Sequence, residues 1–517
     1  MQKYQILWAD DEIDLLKPHI LFLNNKGYEV TAVVSGNEAV EKCLENNYDC
    51  IFLDENMPGM SGLEALAKIK IAKPSLPVVM VTKSEEEHIM EEAIGSKIAD
   101  YLIKPVNPNQ LLLSLKKIIE NKRIVSEKVN SGYQQDFRNI SMAYNDNLNH
   151  EEWADIYKKL IYWELELEDS QDSGMAEVLE NQKSEANSYF CRFIRNNYED
   201  WLNNPKVEKP ILSHQIMKKK VFPLLKEDES LFFLLIDNLR YDQWRVLEPL
   251  ISELFNIVEE SSYYAILPTT TAYARNSIFA GMLPDEIQKY FPQYWVSDDE
   301  EDGKNNNEDK LFAKQLEKNN ISGKMSYHKI LNVTQGKALN DSFSNLLKNK
   351  VNVVVYNFVD MLSHARTDMA MIKELAADEA AYRSLTKSWF LHSPLYDLIK
   401  KIASKKGKLV ITTDHGTIRV KRPFKIVGDK ETNSNLRYKN GRNLTYEDKN
   451  VFSARKPELL HLPKKYMSSS FAFAEDDYFF AYPNNYNHYV SYYKDTFQHG
   501  GVSLEEMIIP FIVLESK

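Results

Sequence analysis

Five stretches in the last two-thirds of the chain carry residues that ligate metals or attack phosphorus. They are LFFLLIDN with Asp237, LPTTTA with Thr271, VNVVVYNFVDMLSH with Asp360 and His364, KLVITTDHG with Asp414 and His415, and FQHGG with His499. Mixed Asp/His ligation suits Zn²⁺ or Mn²⁺ better than Ca²⁺ or a thiolate-selecting metal. Two such ions can clamp the attacking and leaving oxygens of an in-line displacement at phosphorus. The threonines are the candidate nucleophile, since an alcohol is weak at neutral pH until a metal activates it. Residue chemistry alone does not choose among Thr269, Thr270 and Thr271.

These residues need elements to bring them together. Three of the stretches are apolar, β-branched runs that read as buried parallel strands, each leading to an acid. Ligands of an open α/β sheet sit outside the carboxyl ends of its strands, so the three acids are expected in one site. Asp360 and His364, four apart, share a face if a helix follows the strand. Gly416 permits a sharp exit after Asp414-His415, and the two glycines after His499 let the backbone approach closely.

The front of the chain repeats this logic. YQILWAD, EVTAVV, CIFLD, VVMVT and ADYLI read as strands alternating with four helical stretches, which predicts a doubly wound parallel sheet over residues 1–120. Asp10, Asp11 and Asp54 fall at strand ends, as do Thr82 and Lys104. Converging carboxylates form a hard-oxygen site for Mg²⁺, and a lysine and a hydroxyl would orient a phosphoryl group there.

Composition bounds the rest. A chain of 517 residues with 43% apolar and 27% charged residues holds several globular domains. A net charge of −11 argues against a general nucleic-acid coat or a basic membrane binder. Cys43, Cys50 and Cys191 lack metal-site spacing, so neither a disulfide framework nor a cysteine-zinc site is expected. The start has no apolar signal region and no run has the length of a membrane span, so a cytoplasmic location without membrane contact is expected. Residues 121–205 are expected to form a helical bundle or linker, with Trp153, Ile156, Tyr157, Leu160, Ile161 and Trp163 at helical spacing. Residues 206–517 would form a second α/β domain.

Over residues 1–120 the motif set DD at 10–11, D-x-N-M-P-G-M-S-G at 54–62, Thr82 and KP at 104–105 resembles the receiver domain of response regulators. The resemblance implies that a histidine kinase phosphorylates Asp54. It implies Mg²⁺ held by Asp11, Asp54 and the carbonyl of Asn56, with Asp10 acting through water. Thr82 and Tyr101 would be the switch pair and Lys104 the phosphate-pairing lysine.

The order Asp237, P-x-x-T at 268–271, D-x-x-x-H at 360–364, DHG at 414–416 and HGG at 499–501 resembles the alkaline phosphatase superfamily, nearest its PglZ branch. This implies one zinc on Asp360, His364 and His499, a second on Asp237, Thr271, Asp414 and His415, and Thr271 as nucleophile. Nucleotide-pyrophosphatase relatives carry an asparagine three residues past that threonine, where this chain has Ala274. Asn238, Arg275 and Asn276 are the candidate replacements for its substrate contact. A receiver, a helical middle and a PglZ-type domain together resemble the PorX-type response regulators, which are linked to type IX secretion.

The resemblance leans toward a metal-dependent phosphodiesterase acting on nucleotides or oligonucleotides. Basic runs between 400 and 442 would track a phosphate backbone, and the aromatics of YFFAYPNNYNHYVSYYKDTF would stack bases. The segment 298–310 reads as an exposed, mobile loop. A phosphorylation-dependent homodimer is expected. The alternative reading is a phosphorylation-controlled adaptor that binds a sigma factor or secretion component with little or no catalysis.

Overall fold

The computed structural model describes residues 3–74, 76–83, 98–144, 146–170, 173–226, 229–296, 305–369, 374–376, 378–429 and 432–517. Two compact units divide the chain, Met1–Gly132 and Tyr133–Lys517. No described helix is long and apolar enough to cross a membrane.

In the first unit, strands β1 (Tyr4–Ala9), β2 (Tyr28–Val33), β3 (Cys50–Leu53), β4 (Val78–Thr82) and β5 (Asp100–Ile103) form one parallel sheet in the order β2-β1-β3-β4-β5. Alternation sends Leu7, Ile51, Leu53 and Met80 to one core and Ile6, Trp8, Phe52 and Val81 to another, so helices cover both faces. The helix Gly62–Ala72 starts on a capping box between Ser61 and Glu64, which satisfies two otherwise orphaned backbone N–H groups.

The second unit is built on a six-stranded sheet. Strands β6 (Leu231–Ile236), β8 (Met325–Ile330), β9 (Val351–Tyr356) and β10 (Lys408–Thr412) run parallel in the order β10-β6-β9-β8. The C-terminal strand Ile508–Ser516 joins antiparallel to β10, and β7 (Phe255–Tyr264) closes that edge. All six residues of β6 and of β9 are buried, so apart from Asn352, whose amide donates to the Ser230 hydroxyl and the Leu346 carbonyl, both segments are runs of apolar side chains without alternation. Burying each such side chain stabilises the fold by roughly 1.5–3 kcal/mol relative to exposure. Asp237 follows β6 directly and Asp414 follows β10 after Thr413, whereas Asp360 lies in the first turn of the helix Phe358–Asp368 after β9.

The helices His150–Ser170 and Ser173–Asn203 bury the predicted aromatic and aliphatic stripes, including Trp153, Leu160, Phe190 and Tyr198. They pack on the second sheet's domain and do not merely space it. Arg195 makes a forked contact with Glu475, Asn187 donates to Glu505 and accepts from the Leu504 N–H, and the Leu267 N–H donates to the Tyr198 hydroxyl. The segments carrying Thr271 and His499 are thereby buttressed from the linker side.

Gly416 serves close packing, not the turn geometry that its position after a strand suggests. A Cβ there would lie 2.0 Å from the Glu505 carbonyl oxygen. Gly416→Ala is therefore expected to destabilise the domain by about 2 kcal/mol or more, read as a fall in Tm.

Candidate functional site

At the carboxyl ends of β6, β9 and β10 the sequence-predicted residues form two adjacent groups. Ligand atoms of Asp360, His364 and His499 lie within 4.8 Å of one another, and so do those of Asp237, Asp414 and His415. The His415 and His499 rings stack at 4.3 Å, which puts the two groups side by side. Thr271 Oγ1 lies 3.1 Å from His415 Nε2 and 3.4 Å from Asp237 Oδ1. Thr269 is turned away: its hydroxyl donates to the Gly501 carbonyl and accepts from the Gly500 N–H.

Backbone carbonyls fix the histidine tautomers. His415 Nδ1 faces the Gly416 carbonyl at 3.1 Å and His499 Nδ1 faces the Thr269 carbonyl at 3.2 Å. A carbonyl only accepts, so each Nδ1 carries its proton and each Nε2 lone pair is presented to the site. Burial, with His415 and His364 alongside, drives the His499 imidazole well below its usual pKa, which favours the neutral ligand form.

The carboxylates fit a cation. Asp414 is fully buried, and its Oδ2 has no hydrogen-bond donor among the described residues. Burial and then the Asp237 charge push the Asp360 and Asp414 carboxyls above the ordinary range. Such crowding of buried acids is costly unless positive charge compensates it. Burial also opposes ionisation of Asp237, but Arg275 and His415 outweigh it.

In the first unit, Asp10, Asp11 and Asp54 likewise bring ligand atoms within 4.8 Å of one another. Lys104 Nζ lies 2.6 Å from Asp10 and 2.8 Å from Asp54, while Asp54 Oδ1 is buried without a donor among the described residues. Burial raises the Asp54 carboxyl against the opposing pull of Lys104. Thr82 is buried at the end of β4, Tyr101 is half-buried on β5, and Asn56 is exposed beside Asp54.

Comparison with known proteins identifies the parts. Residues 6–116 match the response regulator receiver domain and residues 123–202 the PorX response regulator linker domain. Residues 216–514, more than half of the chain, match the BREX system PglZ alkaline phosphatase-like domain. The chain belongs to the PglZ family.

It is a PorX-type response regulator in architecture, with receiver, linker and PglZ domain in that order. The transcriptional regulatory protein SrrA of Staphylococcus aureus is 29% identical over 151 residues, which are 29% of this chain and 62% of SrrA. The chain thus covers less than two-thirds of that relative's length. A CheY-like receiver domain protein from Methanospirillum hungatei is 27% identical, with a TM-score of 0.23, over 23% of this chain and 95% of that one. Chemotaxis protein CheY4 of Vibrio cholerae is 29% identical, with a TM-score of 0.22, over 22% and 98%.

The PglZ domain uses the three candidate substrate contacts differently from one another. Arg275 is buried and donates to Asp237 at 2.7 Å and to Glu308 at 2.6 Å, so it neutralises a candidate ligand and a second acid. Asn276 donates to the Ala272 carbonyl one turn back. Asn238, at φ 64°, points its amide toward Asp360 at 3.4 Å and has a buried Oδ1 without a donor among the described residues. Asn238 Oδ1 is an acceptor, so what it offers a ligand is a site for a cation or a donor group.

Two further groups were not singled out from sequence. Asn305 donates to the Thr271 carbonyl at 3.0 Å, and Lys329 donates to the Asn305 carbonyl at 3.1 Å. Glu308 is 1% exposed and opens the helix Glu308–Lys318, which corrects the reading of an exposed, mobile loop at residues 308–310; residues 298–304 of that reading lie outside the described residues.

The basic runs need correction too. Arg419 pairs with Asp495, Lys421 with Glu180, Arg422 with Asp476 and Asp477, Arg437 with Glu506, and Arg442 with Asp429. Their charge is matched by these acids, which interrupts the basic runs between 419 and 442. The tyrosine-rich helix Tyr486–Tyr493 buries none of its residues, and Tyr489 and Tyr493 stack on each other.

Proposed function

We propose that this chain is a response regulator phosphorylated on Asp54, whose PglZ domain is a two-zinc phosphodiesterase using Thr271 as nucleophile. The observation that carries the reading is the position of Thr271 Oγ1, beside His415 and Asp237 and next to the second Asp/His group. Asp360, His364 and His499 would hold one zinc and Asp237, Asp414 and His415 the other, with Thr271 on the second. Bound zinc would supply Lewis-acid activation of the hydroxyl and charge neutralisation at phosphorus.

The chain's own residues do the rest. Thr271 Oγ1 bonds to phosphorus as the bond to the leaving oxygen breaks, giving a phosphodiester on threonine that water then hydrolyses, restoring the hydroxyl. Gly416 and Thr269 keep the two imidazoles in their ligating tautomers, and Arg275 fixes Asp237. Asn238 would contact a substrate oxygen through its Nδ2 N–H, which lies 3.4 Å from Asp360. Nucleotide or oligonucleotide diesters are the substrate class supported by the family resemblance, and the PorX linker supports a role in type IX secretion.

In the receiver, Asp11 and Asp54 with the Asn56 carbonyl would hold Mg²⁺, Asp10 acting through water. Lys104 would pair with the phosphoryl group while Thr82 and Tyr101 switch. Acetyl phosphate with Mg²⁺ is expected to label the full-length protein, and Asp54→Ala to abolish labelling. Gel filtration of labelled protein is expected to show a dimer.

The test of the catalytic reading is hydrolysis of bis-p-nitrophenyl phosphate by zinc-loaded protein, with loss on chelation and recovery on adding zinc. If loaded protein cleaves no diester, the adaptor reading replaces it.

A further inference from the structure

The linker holds a second cleft, of about 660 Å³, remote in composition from the Asp/His site. One wall is a face of the helix Ser173–Asn203, where Tyr189, Arg192, Phe193, Asn196 and Trp201 recur at helical spacing. The opposite wall comes from the turn before the helix His150–Ser170, including Asn147 and His150. Tyr144 is sandwiched between Trp153, at 6.1 Å and 10°, and Tyr189, at 5.3 Å and 24°. The stack ends on half-buried Tyr189, whose ring lies 5.4 Å from the exposed Arg192 guanidinium.

Among the described residues, Arg192 has no carboxylate partner, and the side-chain amides of Asn147 and Asn196 have no hydrogen-bond partner. A core aromatic cluster would need none of these polar groups. A stacked ring wall, one unpaired guanidinium and two amides with donor and acceptor atoms match a heterocycle bearing an anionic group. Asp146 and Glu208, also at the cleft, would accept from amino or hydroxyl groups away from the anion.

We propose that this linker cleft binds a nucleoside monophosphate, the base taking the place of the Arg192 guanidinium on the Tyr189 face opposite Tyr144 and the displaced guanidinium pairing with the phosphate. The inference does not depend on the PglZ domain being catalytic. It does bear on that domain, because Tyr264 at the end of β7 donates to the His150 carbonyl at 2.6 Å and packs on Trp201. Three residues further on, the Leu267 N–H is held by Tyr198 of the same linker helix, just ahead of Thr271.

The test is calorimetric titration of the full chain with AMP, adenosine and inorganic phosphate, each with and without EDTA. AMP is expected to bind in both conditions, with adenosine and phosphate at least about tenfold weaker, since each forgoes one of the two contacts. Arg192→Glu, on an exposed residue, is expected to weaken AMP at least about tenfold while leaving Tm unchanged. Tyr189→Ala is expected to weaken AMP and adenosine alike. Absence of binding at millimolar AMP, binding lost with EDTA, or binding indifferent to Arg192→Glu would each overturn the proposal.

Discussion

Thr271→Ala is expected to lower kcat for bis-p-nitrophenyl phosphate by about 10⁴-fold or more while zinc content changes little. Removing a nucleophile that forms the covalent intermediate typically costs that much, because the remaining site only binds and orients. Most candidate ligand atoms for both ions come from the Asp/His groups, not from the threonine, so loss of one hydroxyl should leave metal bound. Thr269→Ala is the discriminating control. Its hydroxyl bridges Gly501 and Gly500 instead of facing His415, so that variant should retain chemistry and lose stability. Stopped assays with metal analysis read both. Equal activity of Thr271→Ala and wild type would remove threonine from the chemistry.

What was legible in the sequence follows from where information is local. Burial of β6, β9 and β10 on both faces leaves largely apolar runs, interrupted by Asn352 in β9 and bounded by Lys408 and Thr412 in β10, and the topology of a parallel sheet then places the acids that follow them at one edge. The receiver was legible for the same reason in its inner strands β1, β3 and β4, which are buried along most or all of their length. Charge pairing was not, because partners lie far apart along the chain. Arg275 meets Asp237 and Glu308, and Arg422 meets Asp476 and Asp477, with no spacing rule to announce either. The basic runs therefore looked like a surface for phosphates when most of their charges have acids of their own. The role of Gly416 was hidden similarly, since it answers to a carbonyl at position 505 and not to its own turn.

Arg437→Met is expected to destabilise the PglZ domain by about 3–5 kcal/mol, the cost of leaving a buried charge without its partner. Arg437 and Glu506 are both 0% exposed and meet through two contacts, at 3.1 and 2.6 Å. Glu506 also accepts from the Gly501 N–H at 2.8 Å and from the Ser503 hydroxyl at 2.7 Å. The stranded carboxylate would thus sit in the segment that fixes His499, so zinc affinity should fall together with Tm. The double variant Arg437→Met with Glu506→Gln removes both charges and keeps an acceptor for Gly501. It should recover more than half of the loss, because a buried pair contributes far less than breaking it costs. Thermal unfolding of wild type, both single variants and the double variant closes the cycle. A double variant as unstable as the sum of the singles would mean that the two side chains act independently, and that Glu506 matters to the histidine loop through its hydrogen bonds alone.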